Sequence, residues 1–241
     1  MIAEVKKLIM NSKKLVVLTG AGFSAESGIP TYRGTGGLWS KYDPSVYADI
    51  NHFMRDSSYY WNFFRDERYP MIKKAKPNSA HIALVELYKR GKLFRLITQN
   101  IDGLHQLAGI PHVIELHGTT RSFRCMRCDN RFSMEEVHEK ILDDFPPKCS
   151  CNGSLRPNTV MFGESLPQHA LEESMFAAKK CDVFLVLGSS LVVYPAAYLP
   201  CIAKENNAHV VIVNIDPTPF DKQADAVLYK KASMFLEQLL L

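Results

Sequence analysis

The sequence predicts an α/β fold, in which helices cover both faces of a parallel sheet and a smaller lobe is inserted beside it. Short runs of Val, Ile and Leu alternate along the chain with segments of helical periodicity, as expected where strands are buried on both faces of a sheet. The 241 residues are 46% hydrophobic, which suffices for one large domain that carries an insertion.

The alternating pattern predicts an amphipathic first helix, followed by strands and helices in turn. The predicted strands are Leu15–Thr19, Leu93–Thr98, Val113–Leu116, Val183–Leu187, Val210–Asn214 and Ala226–Tyr229. The predicted helices are Asn78–Lys89, Pro167–Lys180, Pro195–Asn206 and Ala232–Leu240. Asn78 follows Pro77 and is expected to cap its helix.

The charge and hydropathy of the chain argue against two classes of partner. The net charge is only +4, and no block of basic residues is present, so nucleic acid is not expected as the primary ligand. No apolar run reaches the roughly 18 residues that a membrane span needs. The N-terminal segment lacks the unbroken apolar core of a signal peptide, so a cytoplasmic location is expected.

Two stretches break the alternation and are predicted to form the smaller lobe. Residues 32–76 form a helical insertion, and the part from Tyr32 to Tyr69 holds eleven of the 25 aromatic residues. Residues 119–158 hold four of the six cysteines and few strand signals. The sheet domain is predicted to comprise residues 1–31, 77–118 and 159–241. A cleft between the two parts is the expected ligand site.

The four clustered cysteines form two close pairs, Cys125 with Cys128 and Cys149 with Cys151. Two such pairs, separated by about 15–20 residues, are typical of a zinc ribbon with four thiolate ligands. Because no ligand position is left open, the zinc would be structural. Unpaired or disulfide-linked cysteines are the alternative. Cys181 and Cys201 are expected in the core.

Polar residues follow several predicted strands, at the sheet edge where open α/β sheets bind ligands. The first strand runs into Gly20-Ala21-Gly22, which resembles a dinucleotide-binding turn except that the usual third glycine is missing. Gln99, Asn100 and Asp102 follow the second strand, although Asn100 or Asp102 could simply cap a helix. The other groups at strand ends are Glu115, His117, Gly188-Ser189-Ser190, Asn214 and Asp216. A single histidine such as His117 could also be structural.

Taken in order, these motifs resemble the sirtuins, a family of NAD-dependent protein-lysine deacylases, and especially their compact prokaryotic members. The matching segments span nearly the whole chain and read GAGFSAESGIPTYRG, TQNID, ELHG, the two cysteine pairs, FGE, GSSLVVYP and VNID. The resemblance implies a Rossmann-like sheet, a structural zinc, and NAD that is consumed as a cosubstrate. It also accounts for the missing glycine, because Ala25 to Arg33 would form a mobile loop over the nicotinamide ribose.

The resemblance assigns NAD to the glycine turn, the mobile loop and the strand ends. The residues are Gly20, Ala21, Gly22, Ala25, Glu26, Ile29, Pro30, Tyr32, Arg33, Trp39, Gln99, Asn100, Ile101, Asp102, His117, Gly188, Ser189, Ser190, Asn214, Ile215, Asp216 and Ala232. Asn100 and Asp102 would act in catalysis by holding nicotinamide and its ribose. His117 would act as general base on a ribose hydroxyl, a role that suits an imidazole at neutral pH. The products would be nicotinamide, free lysine and an O-acyl-ADP-ribose.

The substrate implied by the resemblance is an acetylated protein lysine, bound as part of an extended peptide. The peptide would pair with two segments, Gly163-Glu164-Ser165 and Leu191-Val192-Val193. Val160 and Phe162 would form an apolar wall around the lysine stem. Backbone pairing reads little sequence, so broad substrate tolerance is expected.

The acyl preference depends on one short segment, YWNFFRDERY. One sirtuin subgroup reads succinyl or malonyl groups through a tyrosine and an arginine spaced Y-x-x-R. Aligning the segment by Trp61 places Phe64 and Glu67 at those two positions, where neither would favour a carboxylate. Acetyl and other uncharged acyl groups are therefore expected, unless the register shifts and brings Arg65 or Arg68 into place.

Two other functions fit parts of the pattern. A mono-ADP-ribosyltransferase breaks the same glycosidic bond, but it would not need the peptide-pairing segments or a base placed like His117. A zinc-ribbon module that binds nucleic acid without catalysis would need a basic face. The arginines of the cysteine segment are offset by nearby acidic residues, so no such face is assured.

Overall fold

The computed structural model of the chain describes residues 2–34 and 36–240. Met1, Thr35 and Leu241, which the predicted domain ranges include, lie outside the described residues. The strands are β1 (Leu15–Thr19), β2 (Leu93–Thr98), β3 (Ile114–Glu115), β4 (Gly118–Cys125), β5 (Arg131–Ser133), β6 (Leu155–Thr159), β7 (Val183–Leu187), β8 (His209–Asn214) and β9 (Ala226–Tyr229).

Six strands form one parallel sheet in the order β3-β2-β1-β7-β8-β9. This confirms the predicted sheet. The two central strands, β1 and β7, are buried at every residue, which explains their uninterrupted apolar sequences. Two strands differ in length from the prediction. Strand β3 is confined to Ile114–Glu115 because only these residues pair with β2, and β8 begins one residue early, at His209, which pairs with Val183.

The helices are α1 (Ile2–Asn11), α2 (Pro44–Tyr47), α3 (Ile50–Arg55), α4 (Ser58–Phe63), α5 (Tyr69–Lys74), α6 (Ser79–Lys89), α7 (Leu104–Ala108), α8 (Met134–Asp143), α9 (Gln168–Lys180), α10 (Leu199–Glu205) and α11 (Ala232–Leu240). Helices α1, α6 and α11 pack on one face of the parallel sheet, and α9 and α10 pack on the other. The predicted helices on both faces are thus confirmed. None of the described helices combines the length and apolar composition needed to cross a bilayer.

The helix ends follow local chemistry. Asn78 caps α6 as predicted, because its side chain accepts hydrogen bonds from the backbone N–H groups of Ala80 and His81. The predicted helix Pro195–Asn206 is instead a 3₁₀ turn, Ala196–Tyr198, followed by α10. Pro200 has no N–H to donate to the carbonyl of Ala196, which an α-helix beginning there would require.

A second sheet, with three antiparallel strands in the order β5-β4-β6, packs with α8 and with helices α3 to α5. Their shared core includes Trp61, Phe64, Phe123 and Val137. These strands were not predicted individually, because the register of β4 shifts between Thr119 and Phe123. The shift disrupts the two-residue alternation by which strands are recognised.

Helices α4 and α5 are joined by one π turn, Phe64–Arg68. A π turn holds one residue more than an α turn, so each residue after it is rotated by about 100° from its α-helical position. Arg68 and Tyr69 are buried as a result, whereas Asp66 and Glu67 point outward.

Candidate active site

The loops after β1 and β7 meet at the carboxyl edge of the sheet, where glycines allow their backbones to touch. Gly22 N donates a hydrogen bond of 2.9 Å to Gly188 O. A Cβ on Gly20 would lie 2.7 Å from the same oxygen, so only glycine fits there. The glycine turn leads into short 3₁₀ turns at Ala21–Phe23 and Ala25–Ser27, with no long helix. The local structure is therefore a loop, as the missing third glycine indicated.

Three buried polar side chains connect this loop to the end of β2. Asn100 Nδ2 donates to Ser24 Oγ at 3.1 Å, and Ser24 Oγ donates to Asp102 Oδ2 at 2.8 Å. Asp102 Oδ1 also accepts from Leu104 N at 2.9 Å, so Asp102 stabilises the start of α7 as well. Burial raises the pKa of Asp102, and its hydrogen bonds to Leu104 and Ser24 oppose that shift. Helix capping alone does not account for this network.

His117 lies next to the same loop, between β3 and β4. Its Nδ1 is 2.9 Å from the backbone oxygen of Gln99. Because a carbonyl only accepts, Nδ1 carries the proton and Nε2 keeps its lone pair in the neutral ring. Burial lowers the pKa of His117, and the Gln99 carbonyl opposes that shift. The neutral, proton-accepting form is therefore favoured at neutral pH.

Two cavities adjoin these groups. The larger, of about 290 Å³, is lined by Tyr32, Arg33, Trp39, Tyr47, Ala48, Tyr60, Arg68, Gln99, Ile101, His117, Thr120, Thr159, Val160, Met161, Phe162, Gly163, Glu164, Leu166, Val193 and Tyr194. The smaller, of about 20 Å³, is lined by Ala21, Ser24, Ile29, Pro30, Tyr32, Arg68, Met71, Ile72, Asn100, Ile101 and Asp102. Tyr32, Ile101 and Arg68 line both, so the two cavities are neighbours.

The other predicted NAD residues lie elsewhere along the sheet edge. Ser189 is buried and accepts a hydrogen bond from Gln99 Nε2 at 2.8 Å, whereas Ser190, Ile215 and Asp216 are exposed. Glu26 is engaged by α11, through Ser233 and Lys231. The full set outside both cavities is Gly20, Gly22, Ala25, Glu26, Gly188, Ser189, Ser190, Asn214, Ile215, Asp216 and Ala232.

The two segments predicted to bind the peptide lie beside the larger cavity, but only some of their residues line it. Phe162 is 43% exposed, but its backbone already pairs with Ala48 and Ile50, so only its side chain is available. The Glu164 carboxylate is held by Arg156, at 2.7 and 2.8 Å. Leu191 is buried in the core on the face of the parallel sheet that α9 and α10 cover. Ser165, Leu191 and Val192 do not line either cavity.

The predicted register of YWNFFRDERY is wrong. Phe64 is fully buried between Trp61 and Phe123 in the core of the second sheet. Glu67 is exposed, and its hydrogen bond raises the pKa of Tyr42 to about 12. Arg68 lines both cavities instead. Phe64 precedes the additional residue of the π turn and is buried by its own packing in the core of the second sheet. Glu67 and Arg68 lie in the π turn, whose additional residue the alignment from Trp61 did not include.

Two residues of this region were missed by sequence reasoning. Ser24 connects Asn100 to Asp102, and only its position two residues after Gly22 could have suggested it. Tyr60 lines the larger cavity although it lies in the aromatic-rich segment, where nothing distinguishes it from its neighbours. His105 is buried and hydrogen bonded to Thr19.

The four clustered cysteines form a metal site. Their Sγ atoms all lie within 4.8 Å of one another. Three of the Sγ–Sγ distances are between 3.4 and 3.7 Å. Tetrahedral Zn²⁺ with Zn–S bonds of 2.3 Å requires sulfur atoms about 3.8 Å apart. The donors therefore fit a structural zinc ion, and the cysteines are not joined as disulfides. Cys181 is buried as expected, whereas Cys201 is only partly buried.

The amino-acid sequence of the chain is similar to those of known proteins of one family. A model of the Sir2 family matches residues 20–195. The NAD-dependent protein deacylase of Pyrococcus furiosus is 46% identical over 242 residues, with 99% of this chain and 96% of that protein covered. The NAD-dependent protein deacetylase of Thermotoga maritima is 45% identical over 219 residues, with 90% and 88% covered.

Solved structures show the same similarity. A Sir2 variant in complex with a deacetylated p53 peptide and 3'-O-acetyl-ADP-ribose has a TM-score of 0.95 at 41% identity, and 99% of this chain and 97% of that chain are covered. Sir2Tm bound to a propionylated peptide has a TM-score of 0.91 at 39% identity, with the same coverage.

Proposed function

The chain belongs to the Sir2 family, and we propose that it is an NAD-dependent protein deacetylase that removes acetyl and similar uncharged acyl groups from protein lysines. The observation that carries this proposal is the junction of the two cavities at Tyr32 and Ile101. The smaller cavity contains Asn100 and Asp102, and the larger contains His117. The groups assigned to cleavage of the glycosidic bond and to proton transfer therefore meet at one place.

NAD is assigned to the carboxyl edge of the parallel sheet. The backbone of the glycine turn would face the phosphates, and the groups that follow β7 and β8 would face the adenosine. The remaining NAD contacts are those the sequence predicted in the loop from Ala25 to Arg33, at Trp39 and at Ala232. Asn100 and Asp102, held together through Ser24, would position nicotinamide and its ribose in the smaller cavity.

The reaction converts acyl-lysine, NAD and water into lysine, nicotinamide and O-acyl-ADP-ribose. The acyl oxygen forms a bond to the anomeric carbon of the ribose while the glycosidic bond breaks, and the electron pair of that bond leaves with nicotinamide. His117 Nε2 takes the proton from a ribose hydroxyl, whose oxygen then bonds to the former acyl carbon. Lysine leaves as the amine, and water supplies the oxygen that completes the ester. The enzyme is thus a transferase, with ADP-ribose as the acyl acceptor.

The acetylated lysine would enter the larger cavity between Val160 and Phe162, as part of an extended peptide. Backbone groups of 163–165 and 191–193 would pair with that peptide. The zinc ion, held by the four cysteines, would stabilise the second sheet and supply no catalytic group. We also propose the predicted domain division and, because reduced metal-binding cysteines are typical of reducing compartments, a cytoplasmic location.

The proposal is tested by incubating the protein with isotope-labelled NAD, with and without an acetyl-lysine peptide. Nicotinamide release should depend on the peptide and should be matched, mole for mole, by O-acetyl-ADP-ribose. Label that remained on protein would instead indicate a mono-ADP-ribosyltransferase.

A further inference from the structure

Arg156 is a buried cation that the proposed reaction does not use, and it is paired with Glu164. Arg156 lies on β6. Its Nη1 donates to Glu164 Oε1 at 2.8 Å, and its Nη2 donates to Glu164 Oε2 at 2.7 Å. Two parallel bonds of this kind are stronger and more strictly oriented than a single hydrogen bond. The ion pair therefore fixes the position of the Glu164 side chain.

The same guanidinium also binds the backbone of its own strand. Its Nη2 donates to the carbonyl oxygen of Thr159, and its Nε donates to that of Pro157, both at 3.2 Å. Thr159 is the last residue of β6. Arg156 thus joins the end of this strand to the side chain of Glu164, and the short segment between them is held at both ends.

Residues 161–164 form a tight turn that Glu164 closes twice. Its backbone N–H donates to Met161 O at 3.1 Å, and its Oε2 accepts from Met161 N at 2.9 Å. Gly163, the third residue of the turn, has a φ of +87°, which is the conformation that the third position of a type II turn requires. The shape of the turn therefore depends on the Glu164 carboxylate, and through it on Arg156.

This turn leaves one backbone donor beside the larger cavity. The N–H of Val160 donates to His117 O, and the N–H of Phe162 donates to Ala48 O. Among the hydrogen bonds of residues 2–34 and 36–240, none uses the N–H of Gly163. Gly163 lines the larger cavity, within the segment assigned to the peptide backbone. A free backbone N–H in such a place is suited to pair with an extended peptide.

We infer that Arg156 is a positioning residue for the acylated peptide, acting through Glu164 on the turn that presents Gly163. This role rests on the proposed deacylase function and deepens it by naming a residue that sets peptide affinity. Arg156 lines neither of the two cavities at the site, so it affects the peptide only through Glu164. The Glu164 carboxylate is neutralised by Arg156 and serves the turn, so it does not read charges on the peptide.

The variant Glu164→Gln tests this role, because it keeps the size of the side chain and removes its charge. We expect the KM for an acetyl-lysine peptide to rise by about tenfold or more, since displaced binding groups lose contacts throughout the peptide. The kcat should change much less, and the affinity for NAD, titrated without peptide, should stay the same. A variant that was only less stable would contain less active enzyme, with a lower kcat and an unchanged KM. That result would overturn the inference.

Glu173→Gln is the matched control. Glu173 is also a partly buried carboxylate that is paired with an arginine, Arg95, and its side chain is 20% exposed, against 23% for Glu164. It lies on α9 and lines neither cavity. The KM for the peptide should therefore remain that of the unmodified enzyme.

A second comparison separates positioning from direct contact between Glu164 and the peptide. Two acetyl-lysine peptides differ only in the residues that flank the lysine, which are arginines in one and glutamines in the other. A loss through the turn should be equal for both peptides. Arg156→Lys should reproduce it, because lysine keeps the charge but cannot form two parallel bonds. A loss confined to the arginine peptide, or absent in Arg156→Lys, would mean that Glu164 binds the peptide directly, and it would contradict the inference.

Amide hydrogen exchange tests the turn without reference to activity. The N–H of Met161, which Glu164 Oε2 accepts, should exchange faster in Glu164→Gln and Arg156→Lys than in Glu173→Gln. Unchanged exchange would refute the role of Arg156. If the unmodified enzyme released no nicotinamide in response to a peptide, the deacylase function would fail, whereas exchange would still decide whether Arg156 holds the turn. If Arg156→Lys does not fold, the milder Glu164→Gln supplies both measurements.

Discussion

At the scale of single residues, one hydrogen bond orients His117 for the proton transfer that we propose. The Gln99 carbonyl holds Nδ1 at 2.9 Å, which fixes the proton on that atom and leaves Nε2 to accept another. Gln99 also donates to Ser189, at the end of β7. The orientation of the base is therefore tied to two strand ends of the sheet. A residue so placed affects chemistry more than binding.

Replacing His117 with Ala should lower kcat for deacetylation by about 10²- to 10⁴-fold, the usual cost of removing a general base. NAD affinity should change little, because the glycine turn and the Asn100 network are untouched. Steady-state kinetics and titration with NAD separate the two effects. His112→Ala is the control, since His112 is exposed and pairs with Glu173 away from the cavities. Full activity in the His117 variant would refute the proposed proton transfer.

Sequence reasoning predicted Asn100, Asp102 and His117 as site residues because each follows a strand that its apolar sequence identifies. The carboxyl ends of parallel strands meet at one edge, so position along the chain translates directly into position in space. Arg68 could not be placed in this way. Its direction depends on whether the helix after Trp61 contains an α or a π turn, and the sequence pattern does not distinguish them.

At the scale of elements, strand β4 connects the cysteine cluster to the site. It begins at Gly118, next to His117, and ends at Cys125. At the start of β4, Gly118 pairs with Thr159 of β6. The backbone N–H of Val160 donates a hydrogen bond of 2.9 Å to His117 O. The position of His117 therefore depends on the pairing of β4 with β6. That pairing depends in turn on the four cysteines at the far end of the lobe.

Replacing Cys125 or Cys149 with Ser should release zinc and unfold the second sheet. Structural zinc commonly contributes on the order of 10 kcal/mol to the folding of a small metal-bound unit, so its loss should destabilise the part of the second sheet that the four cysteines join. Deacetylation should fall with the metal content. Metal analysis and thermal unfolding of the purified variants measure both effects.

Cys201→Ser is the control for these variants, because Cys201 lies on α10, away from the cluster. It should keep the metal and the activity. Protein that contained no zinc, with stability unchanged in the Cys125 variant, would contradict the structural role.

The two sheets differ in how far their elements could be predicted. All six parallel strands were predicted, and the two central strands were the clearest because burial at every residue requires continuous apolar runs. In the second sheet, β5 has only three residues and β4 contains a register shift, so their sequences lack a regular period. The cysteine pairs, and not a regular hydrophobic pattern, mark this part of the fold in the sequence. Its cysteine spacing was accordingly the reliable signal.

At the scale of the whole molecule, two buried histidines join helices on one face of the sheet to its central strand. His81 of α6 is fully buried, and its ring lies 4.9 Å from that of His105 of α7. His105 bonds to Thr19 of β1 at 2.9 Å, and Thr19 donates to Thr98 of β2 at 2.8 Å. His81 Nε2 and His105 Nδ1 have no hydrogen-bond partner. Both rings are thus suited to the neutral state alone.

This arrangement predicts that the protein loses stability in mild acid. Burial lowers the pKa of His81 to about 4, and burial together with the nearby His81 lowers the pKa of His105 well below 6.5. Below pH 6.5 the unfolded chain takes up protons that the folded protein excludes, so the free energy of unfolding falls with decreasing pH. Above pH 6.5 both histidines are neutral in the unfolded chain as well, so this loss of stability is absent. His81 alone accounts for a loss of about 3 kcal/mol by pH 4, at about 1.4 kcal/mol per pH unit.

Denaturant unfolding at a series of pH values between 7.5 and 4 measures this dependence. His105→Gln can still bond to Thr19 but cannot take up a proton, so its unfolding free energy should depend less on pH, even if stability at neutral pH decreases. His169→Gln, on the exposed surface of α9, is the control and should retain the slope of the unmodified protein. If His105→Gln showed the same slope as the unmodified protein, His105 would not contribute to the acid sensitivity. The loss of stability in acid would then be assigned to His81, whose pKa burial also lowers, and to the carboxylates of surface ion pairs, whose stabilising effect is lost only below about pH 4.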